Sequence, residues 1–314
     1  MRMRVIRDYA FVEAADKGAS VAIGNFDGVH LGHQSVIDIA RTEADSRNVP
    51  LGVLTFEPHP RSHFAPDAPS FRLMGSEARK TRLAKLGVDI LCELNFNANL
   101  SVLTPEAFAQ KVIKDGLGLS HVVVGADFCF GRGRAGSIED LKSFGEKMGF
   151  DVTIAPLLAA GLGEVSSTSI RIALSEGRPE DAAEQLGHWH RIEGPVVGGE
   201  QRGRELGFPT ANMSMDGLHL PKIGVYAVLV DVQDGPYRGT YKGAASLGVR
   251  PMFGENTPNL ETFIFDFSGD LYGTHLSIAL VEFLRPELKF DGLDPLIVQM
   301  AKDCDQAREI LSKL

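Results

Sequence analysis

Two histidines three positions apart, His30 and His33, stand where the apolar run SVAIGNF gives way to a helix-like segment. Gly24, Gly28 and Gly32 relax the backbone of the intervening turn, GNFDGVHLGHQ. A helix N-terminus offers unpaired N–H groups and partial positive charge, which suits phosphate. Two imidazoles at this spacing can face one ligand and donate hydrogen bonds to a polyphosphate as negative charge shifts onto a leaving group. The same pattern also fits a plain strand-to-helix turn with two solvated histidines. Zinc lacks a third His or Cys at ligand spacing.

Further groups with chemical potential follow. In VSSTSIR (residues 165–171), Ser166, Ser167 and Thr168 can cap a helix while offering hydroxyls and N–H groups to an anion. Arg171, one turn on, supplies a planar donor fork; an ordinary cap with a surface arginine fits equally. In GADFCFGRGRAG (residues 125–136), Asp127, Phe128 and Phe130 join polar and aromatic surface. Its glycines with Arg132 and Arg134 suggest a flexible loop over phosphates, against the plainer reading of a surface loop with one core Phe. In TFEPHP (residues 55–60) the prolines stiffen the chain and present His59.

The C-terminal half carries VVGGEQRGRELGFPTANM (residues 196–213), glycine-rich yet without the lysine of a P-loop. Thr210 and Asn212 are hard oxygen ligands of the kind magnesium takes, although a β-turn and strand start explain the run alone. In NLETFIFDF, strand alternation places Glu261 with Phe263, Phe265 and Phe267. A carboxylate beside aromatics can be tuned as a general base; a glutamate at a strand end is the plain alternative.

Positioning these residues takes two architectures. In the first half, strand-like runs at residues 20–26, 51–56, 89–94, 121–124 and 152–155 alternate with helix-like segments at 34–46, 77–86, 105–116 and 138–148. That alternation predicts an α/β fold with a mostly parallel sheet, whose ligands bind beyond the carboxyl strand ends. From about Gly187 the pattern changes to strand-like runs at 224–232, 237–247, 260–267 and 276–283, separated by turns. Close turns predict an antiparallel barrel or sandwich. Residues 293–311 repeat apolar positions at 3.6 per turn and predict one closing amphipathic helix.

The 314 residues are enough for two cored domains. A net charge of −9 without a basic stripe argues against nucleic acid as a partner. No apolar run approaches the roughly 18 residues of a membrane span, and no apolar stretch of a signal peptide follows the charged start. The cysteines (Cys92, Cys129, Cys304) are scattered and odd in number, which fits a reducing compartment such as the cytoplasm.

GNFDGVHLGHQ resembles the H-x-G-H nucleotidyltransferase signature in the form found in bacterial bifunctional riboflavin kinase/FAD synthetases. TFEPHP, GADFCFGRGRAG and VSSTSIR agree with that family in order and spacing, and the likeness covers nearly the whole chain. It implies a Rossmann-like nucleotidyltransferase (FMN adenylyltransferase) domain over residues 1–186. A riboflavin kinase-like antiparallel β-barrel with a closing helix is implied over 187–314. The implied activities are ATP-dependent phosphorylation of riboflavin to FMN and adenylylation of FMN to FAD with release of pyrophosphate. Magnesium is the implied cofactor, ATP the co-substrate, and the partners are small molecules, with no nucleic acid, no membrane and a monomer or weak homo-oligomer.

Carried over position by position, the resemblance assigns ATP of the adenylyltransferase to Gly24, Phe26, Asp27, Gly28, His30, His33, Ser167, Thr168 and Arg171. His30, His33 and Arg171 would stabilise charge there, and FMN falls to Phe56, His59, Asp127 and Phe128. Kinase ATP falls to Gly203, Arg204, Gly207, Pro209, Thr210 and Asn212, magnesium to Thr210 and Asn212, and the catalytic base to Glu261. The chain departs from the family at Cys129, at Gly163-Glu164 and at Met252, which replaces a threonine. An adenylyltransferase whose kinase is weakened at Met252 is the alternative.

Overall fold

In the computed structural model, residues 3–160, 163–198, 207–252 and 255–314 are described, without the side chains of 159–160, 163–164, 250–252 and 255–257. The chain divides into two compact units, Met1–Pro69 with Ser76–Val165, and Ser70–Gly75 with Ser166–Leu314.

The first unit runs β1 (Arg4–Ile6), β2 (Ser20–Ile23), α1 (Leu31–Arg47), β3 (Leu51–Glu57), α2 (Pro60–Phe64), α3 (Ser76–Lys85) and β4 (Ile90–Asn95). It continues with α4 (Ala98–Ser101), α5 (Pro105–Phe108), β5 (His121–Gly125), α6 (Ile138–Met148), β6 (Asp151–Ala155) and the short ribbon β7 (Ala159–Ala160) and β8 (Gly163–Glu164). The sheet order is β1-β4-β3-β2-β5-β6, every pairing parallel. Strands covered on both faces need near-continuous apolar runs, and Val21, Val53, Leu54, Leu91, Val122 and Val123 are fully buried. The polar intruders are partnered: Ser20 Oγ donates to Ala40 O at 2.9 Å and meets His121 Nδ1 at 2.8 Å, while His121 Nε2 meets Thr153 Oγ1 at 2.9 Å. Successive strands leave β2 in opposite directions, so the switch point of the sheet lies between β2 and β5.

Three features differ from the expectation. The second strand stops at Ile23 rather than continuing to Phe26, because Phe26 and Val29 take left-handed φ values of 51° and 46°. The helix expected over 105–116 is α-helical only to Phe108 and π-helical over Ala109–Gly116. β1, inside the charged start, pairs with β4 at the sheet edge, a partner some 85 residues away that local pattern does not reveal.

The second unit opens with α7 (Ser167–Glu176) and α8 (Pro179–Leu186), which bury Ile170, Ala173, Leu174, Ala182 and Leu186 around Leu73. β9 (Arg191–Pro195), β10 (Thr210–Ser214), β11 (Gly224–Val232), β12 (Gly239–Met252), β13 (Glu255–Ile264) and β14 (His275–Arg285) follow, then α9 (Leu293–Leu311). These strands form an antiparallel sheet in the order β10-β13-β12-β11-β14-β9. The Val197 N–H donates to Asn212 O at 2.9 Å, which draws the two edges together into a nearly closed barrel. Tyr226, Val228, Leu247, Leu260 and Ile278 fill its interior.

The amphipathic stripe of α9 places Cys304, Ala307 and Leu311 on Ala227, Ala244, Val281 and Phe265. Arg285 grips Asp303 of that helix bidentately, with Nη2 to Oδ2 at 2.6 Å. β13 ends at Ile264, yet Phe265 still packs on Phe263 at 5.8 Å, so the expected alternation of Glu261 with Phe263, Phe265 and Phe267 breaks after Phe265. Asp266 turns the chain with φ 55°, and Phe267 instead packs on Tyr237 and Tyr241.

Candidate functional site

The first candidate site lies at the end of β2, on the switch point. His30 is the N-cap of α1, its Nδ1 accepting from the His33 N–H at 3.3 Å. Accepting at Nδ1 puts the neutral ring's proton on Nε2, which can donate to a ligand. The two rings stack with centroids 3.6 Å apart, and Phe26 tilts against His33 at 5.0 Å. Burial, reinforced by His30, holds His33 well below the ordinary imidazole range, so it is neutral at pH 7. Asp27 and His30 are buried in the same turn, at 2% and 7% exposure. A Cβ on Gly32 would stand 3.1 Å from His30 Nδ1 and 3.6 Å from Val165 O, so this position must stay small for the ring to cross the helix start. Gly24, Phe26, Asp27, Gly28, His30 and His33 are thus gathered in one turn.

An aromatic wall stands on neighbouring elements of the unit. Phe56 at the end of β3 meets Phe96 at 5.6 Å and Phe108 at 6.5 Å; Phe108 reaches Phe130 at 5.8 Å, and Phe128 stacks on Phe130 at 5.6 Å. Phe64 adjoins Phe96 at 5.7 Å and is 67% exposed. Phe56 and Phe128 were expected here; Phe64, Phe96 and Phe108 come from segments without a motif. Asp127 is exposed at the start of the loop. His59 is turned to local work as the N-cap of α2, its Nδ1 accepting from the Arg61 N–H at 3.0 Å. The loop at residues 125–136 is packed rather than loose: Gly131 lies where a Cβ would be 2.7 Å from Pro105 N, and Arg132 N–H donates to Leu103 O at 2.7 Å. Gly131 and Gly136 serve close approach, whereas Gly133 takes a left-handed φ of 65° with nothing within 4 Å of a Cβ there.

One residue that carries no motif ties these parts together. Arg79 of α3, fully buried, bridges Glu57 at the end of β3 and Glu93 of β4, each at 2.9 Å, and its Nη1 reaches Asn25 O in the histidine turn at 3.5 Å. Burial alone would raise the Glu93 carboxyl, yet hydrogen bonds from Ser76 and Arg79 hold it below its ordinary range. A cavity of about 530 Å³ opens beside this network, lined by Arg7, Asp8, Tyr9, Glu57, Glu93 and Asn97 among others.

Ser167, Thr168 and Arg171 belong to the second unit. Ser166 caps α7 in a capping box with Ser169, so Ser167 and Thr168 occupy the first helical positions. Arg171 Nε donates to Phe71 O at 2.6 Å, and its guanidinium lies over the Phe71 ring at 5.4 Å.

The barrel brings the remaining candidates onto one face. Register pairs Asn212 of β10 with Glu261 of β13, and Glu261 with Ser246 of β12; Thr210 pairs with Phe263 one step along. Directly paired residues share a face, so Thr210, Asn212, Glu261 and Ser246 lie together. Asn259 shares that face and donates from Nδ2 to Asn212 Oδ1 at 2.9 Å, while its own Oδ1 is buried without a partner among the described residues. All these groups present oxygen, and an orphaned buried carbonyl oxygen calls for a donor or a cation, so the set fits a hard divalent ion. Pro209 and Gly207 precede this face, Gly207 with φ 85°. Gly203 and Arg204 lie outside the described residues, as does the side chain of Met252. Cys92 and Cys304 are buried, and Cys129 is exposed.

A switch-point histidine turn on a parallel sheet and an oxygen-lined barrel face define a transferase with two separate phosphate-handling domains. The FAD synthetase family matches residues 12–169 and the riboflavin kinase family residues 186–311. The bifunctional riboflavin kinase/FMN adenylyltransferase of Listeria monocytogenes is 38% identical over 96% of this chain and 95% of its own length. That of Escherichia coli is 36% identical over 98% and 97%. A crystal structure described as a macrolide-efflux protein from Streptococcus pneumoniae matches with a TM-score of 0.84 at 31% identity, covering 98% of this chain and 99% of that one. Among the described residues no helix is long and apolar enough to cross a membrane. The chain belongs to the family of bifunctional riboflavin kinase/FMN adenylyltransferases.

Proposed function

We propose that the family's two reactions are divided between the two sites, with adenylylation in residues 1–186 and phosphorylation in 187–314. The presence of both domains favours this reading over an adenylyltransferase with a failing kinase. The observation that carries it is the pairing of His30 and His33 in one unit with Thr210, Asn212 and Glu261 on one face of the other.

In the first site a phosphate oxygen of FMN attacks the α-phosphorus of ATP, and the bond to the pyrophosphate breaks. No protein nucleophile is required, so the work is alignment and charge stabilisation. His30 donates from Nε2 to the polyphosphate, and neutral His33 supports it by stacking. Phe56 and Phe128, joined by Phe96 and Phe108, receive the flavin ring, with Asp127 at its polar edge.

In the second site Glu261 accepts a proton from the terminal ribityl hydroxyl of riboflavin, whose oxygen attacks the γ-phosphorus of ATP as ADP leaves. ATP is assigned to Gly203, Arg204, Gly207 and Pro209, and Thr210 and Asn212 would hold magnesium. Bound there, magnesium neutralises charge on the phosphates. Free cysteines and a need for ATP agree with a cytoplasmic enzyme.

One incubation of the purified protein with riboflavin, ATP and magnesium, followed by separation of the flavins, tests the assignment. Accumulation of FAD through FMN is expected. FAD formed from added FMN but not from riboflavin would replace it with the single-activity reading.

A further inference from the structure

Asn259 lies on β13 two residues before Glu261, opposite Ser214 of β10 and Gly248 of β12. It is 4% exposed, and Asn212, which accepts its Nδ2 hydrogen bond at 2.9 Å, is 8% exposed. The other bond that fixes the Asn212 amide, Nδ2 to Thr210 O, is 3.4 Å long and weak. Asn259 therefore decides which end of the Asn212 amide faces outward. An amide oxygen that accepts one hydrogen bond keeps a second lone pair, so Asn212 Oδ1 can still take a ligand while Asn259 holds it.

The Oδ1 of Asn259 is itself buried without a partner among the described residues. A buried acceptor left unsatisfied is destabilising, so its retention points to a ligand. A phosphate oxygen cannot satisfy a carbonyl oxygen; a hydrogen-bond donor or a cation with its waters can. Along the same face follow the Asn212 carbonyl, the Glu261 carboxylate and, one step further, the Thr210 hydroxyl, an oxygen set of the kind a hard divalent ion takes.

We propose that Asn259 is a positioning residue of the kinase site, which fixes the side-chain oxygen of Asn212 towards the divalent cation accompanying ATP and turns its own Oδ1 to the same coordination sphere. The inference rests on the assignment of magnesium to Thr210 and Asn212. It adds a residue outside the glycine-rich run, from a strand whose only expected contribution was the base.

The test is Mn2+ binding to the full-length protein in the presence of ADP, read by electron paramagnetic resonance. The kinase site is the class of Mn2+ sites that weakens in Asn212→Ala. In Asn259→Ala the same class weakens about tenfold, and the KM for magnesium-ATP rises by a similar factor while the KM for riboflavin stays within twofold. The double variant binds no more weakly than Asn212→Ala, because the two residues act as one unit. Asn259→Ser, which keeps a donor for Asn212, recovers part of the loss and guards against a merely unfolded alanine variant. Mn2+ affinity within twofold of wild type in Asn259→Ala, additive losses in the double variant, or no recovery in Asn259→Ser overturns the proposal. No effect of Asn212→Ala would remove the magnesium assignment as well; an effect there with none at Asn259 removes this inference alone.

Discussion

The absence of a side chain at position 32 is what lets His30 lie across the first turn of α1. A methyl group there would meet Nδ1 at 3.1 Å and Cε1 at 3.2 Å, so Gly32→Ala displaces the ring while leaving the helix intact. FAD formation from FMN should fall at least tenfold in kcat/KM, with FMN formation unchanged; equal loss of both activities would refute the local account. His190 acts on stability instead. It is 4% exposed with Nε2 on Leu73 O at 3.0 Å, and burial pushes its pKa down to about 4. Between that value and the unfolded value of about 6.5 the unfolded chain binds a proton that the folded chain does not, so stability falls as pH falls through this window. The full loss is about 3 kcal/mol, at roughly 1.4 kcal/mol per pH unit. From pH 7 to pH 5, urea unfolding of the second unit should cost the wild type about 2 kcal/mol more than His190→Gln. Parallel pH profiles would show that His190 is not the responsible group.

At the scale of elements, the fully buried Arg79 ties α3 to both β3 and β4, while Lys80 of the same helix reaches Glu93 alone, at 3.4 Å. Arg79→Met leaves Glu57 and Glu93 facing each other without their shared partner, and removing one side of a buried ion pair costs about 3–5 kcal/mol. Because Glu93 is held below its ordinary range, wild-type stability from this network is present above about pH 4.3 and is lost as pH falls further. Arg79→Met should therefore be less stable than wild type at pH 7 in denaturant unfolding, with the gap narrowing in acid; an equal gap at pH 4 and pH 7 would count against the ion-pair explanation. What was legible beforehand follows the range of each interaction. The histidine turn, α6, β11 and α9 are written in local spacing, and each stands where the pattern put it. Arg79, β1, Phe96 and Asn259 depend on partners distant in sequence: Glu93 for the arginine, β4 for the strand, Phe56 for the ring, Asn212 for the amide. No periodicity announces such pairings. The break in β13 after Ile264 was missed for another reason, since Asp266 reverses the chain within an otherwise strand-like run.

At the scale of the whole molecule, the proposed assignment rests on His30 and His33 in one compact unit and on Thr210, Asn212 and Glu261 in the other. His30 and His33 are held by a parallel sheet whose switch point exposes a helix start, while Glu261, Asn212 and Thr210 depend on the register of three antiparallel strands. Neither arrangement uses the other's core, so damage should stay local. Flavin products formed by His30→Ala and Glu261→Ala, each supplied separately with riboflavin and with FMN, measure this division directly. His30→Ala should convert riboflavin to FMN at the wild-type rate and make no FAD, whereas Glu261→Ala should make FAD from FMN and none from riboflavin. If both substitutions abolished the same step, the assignment of one reaction to each site would be contradicted.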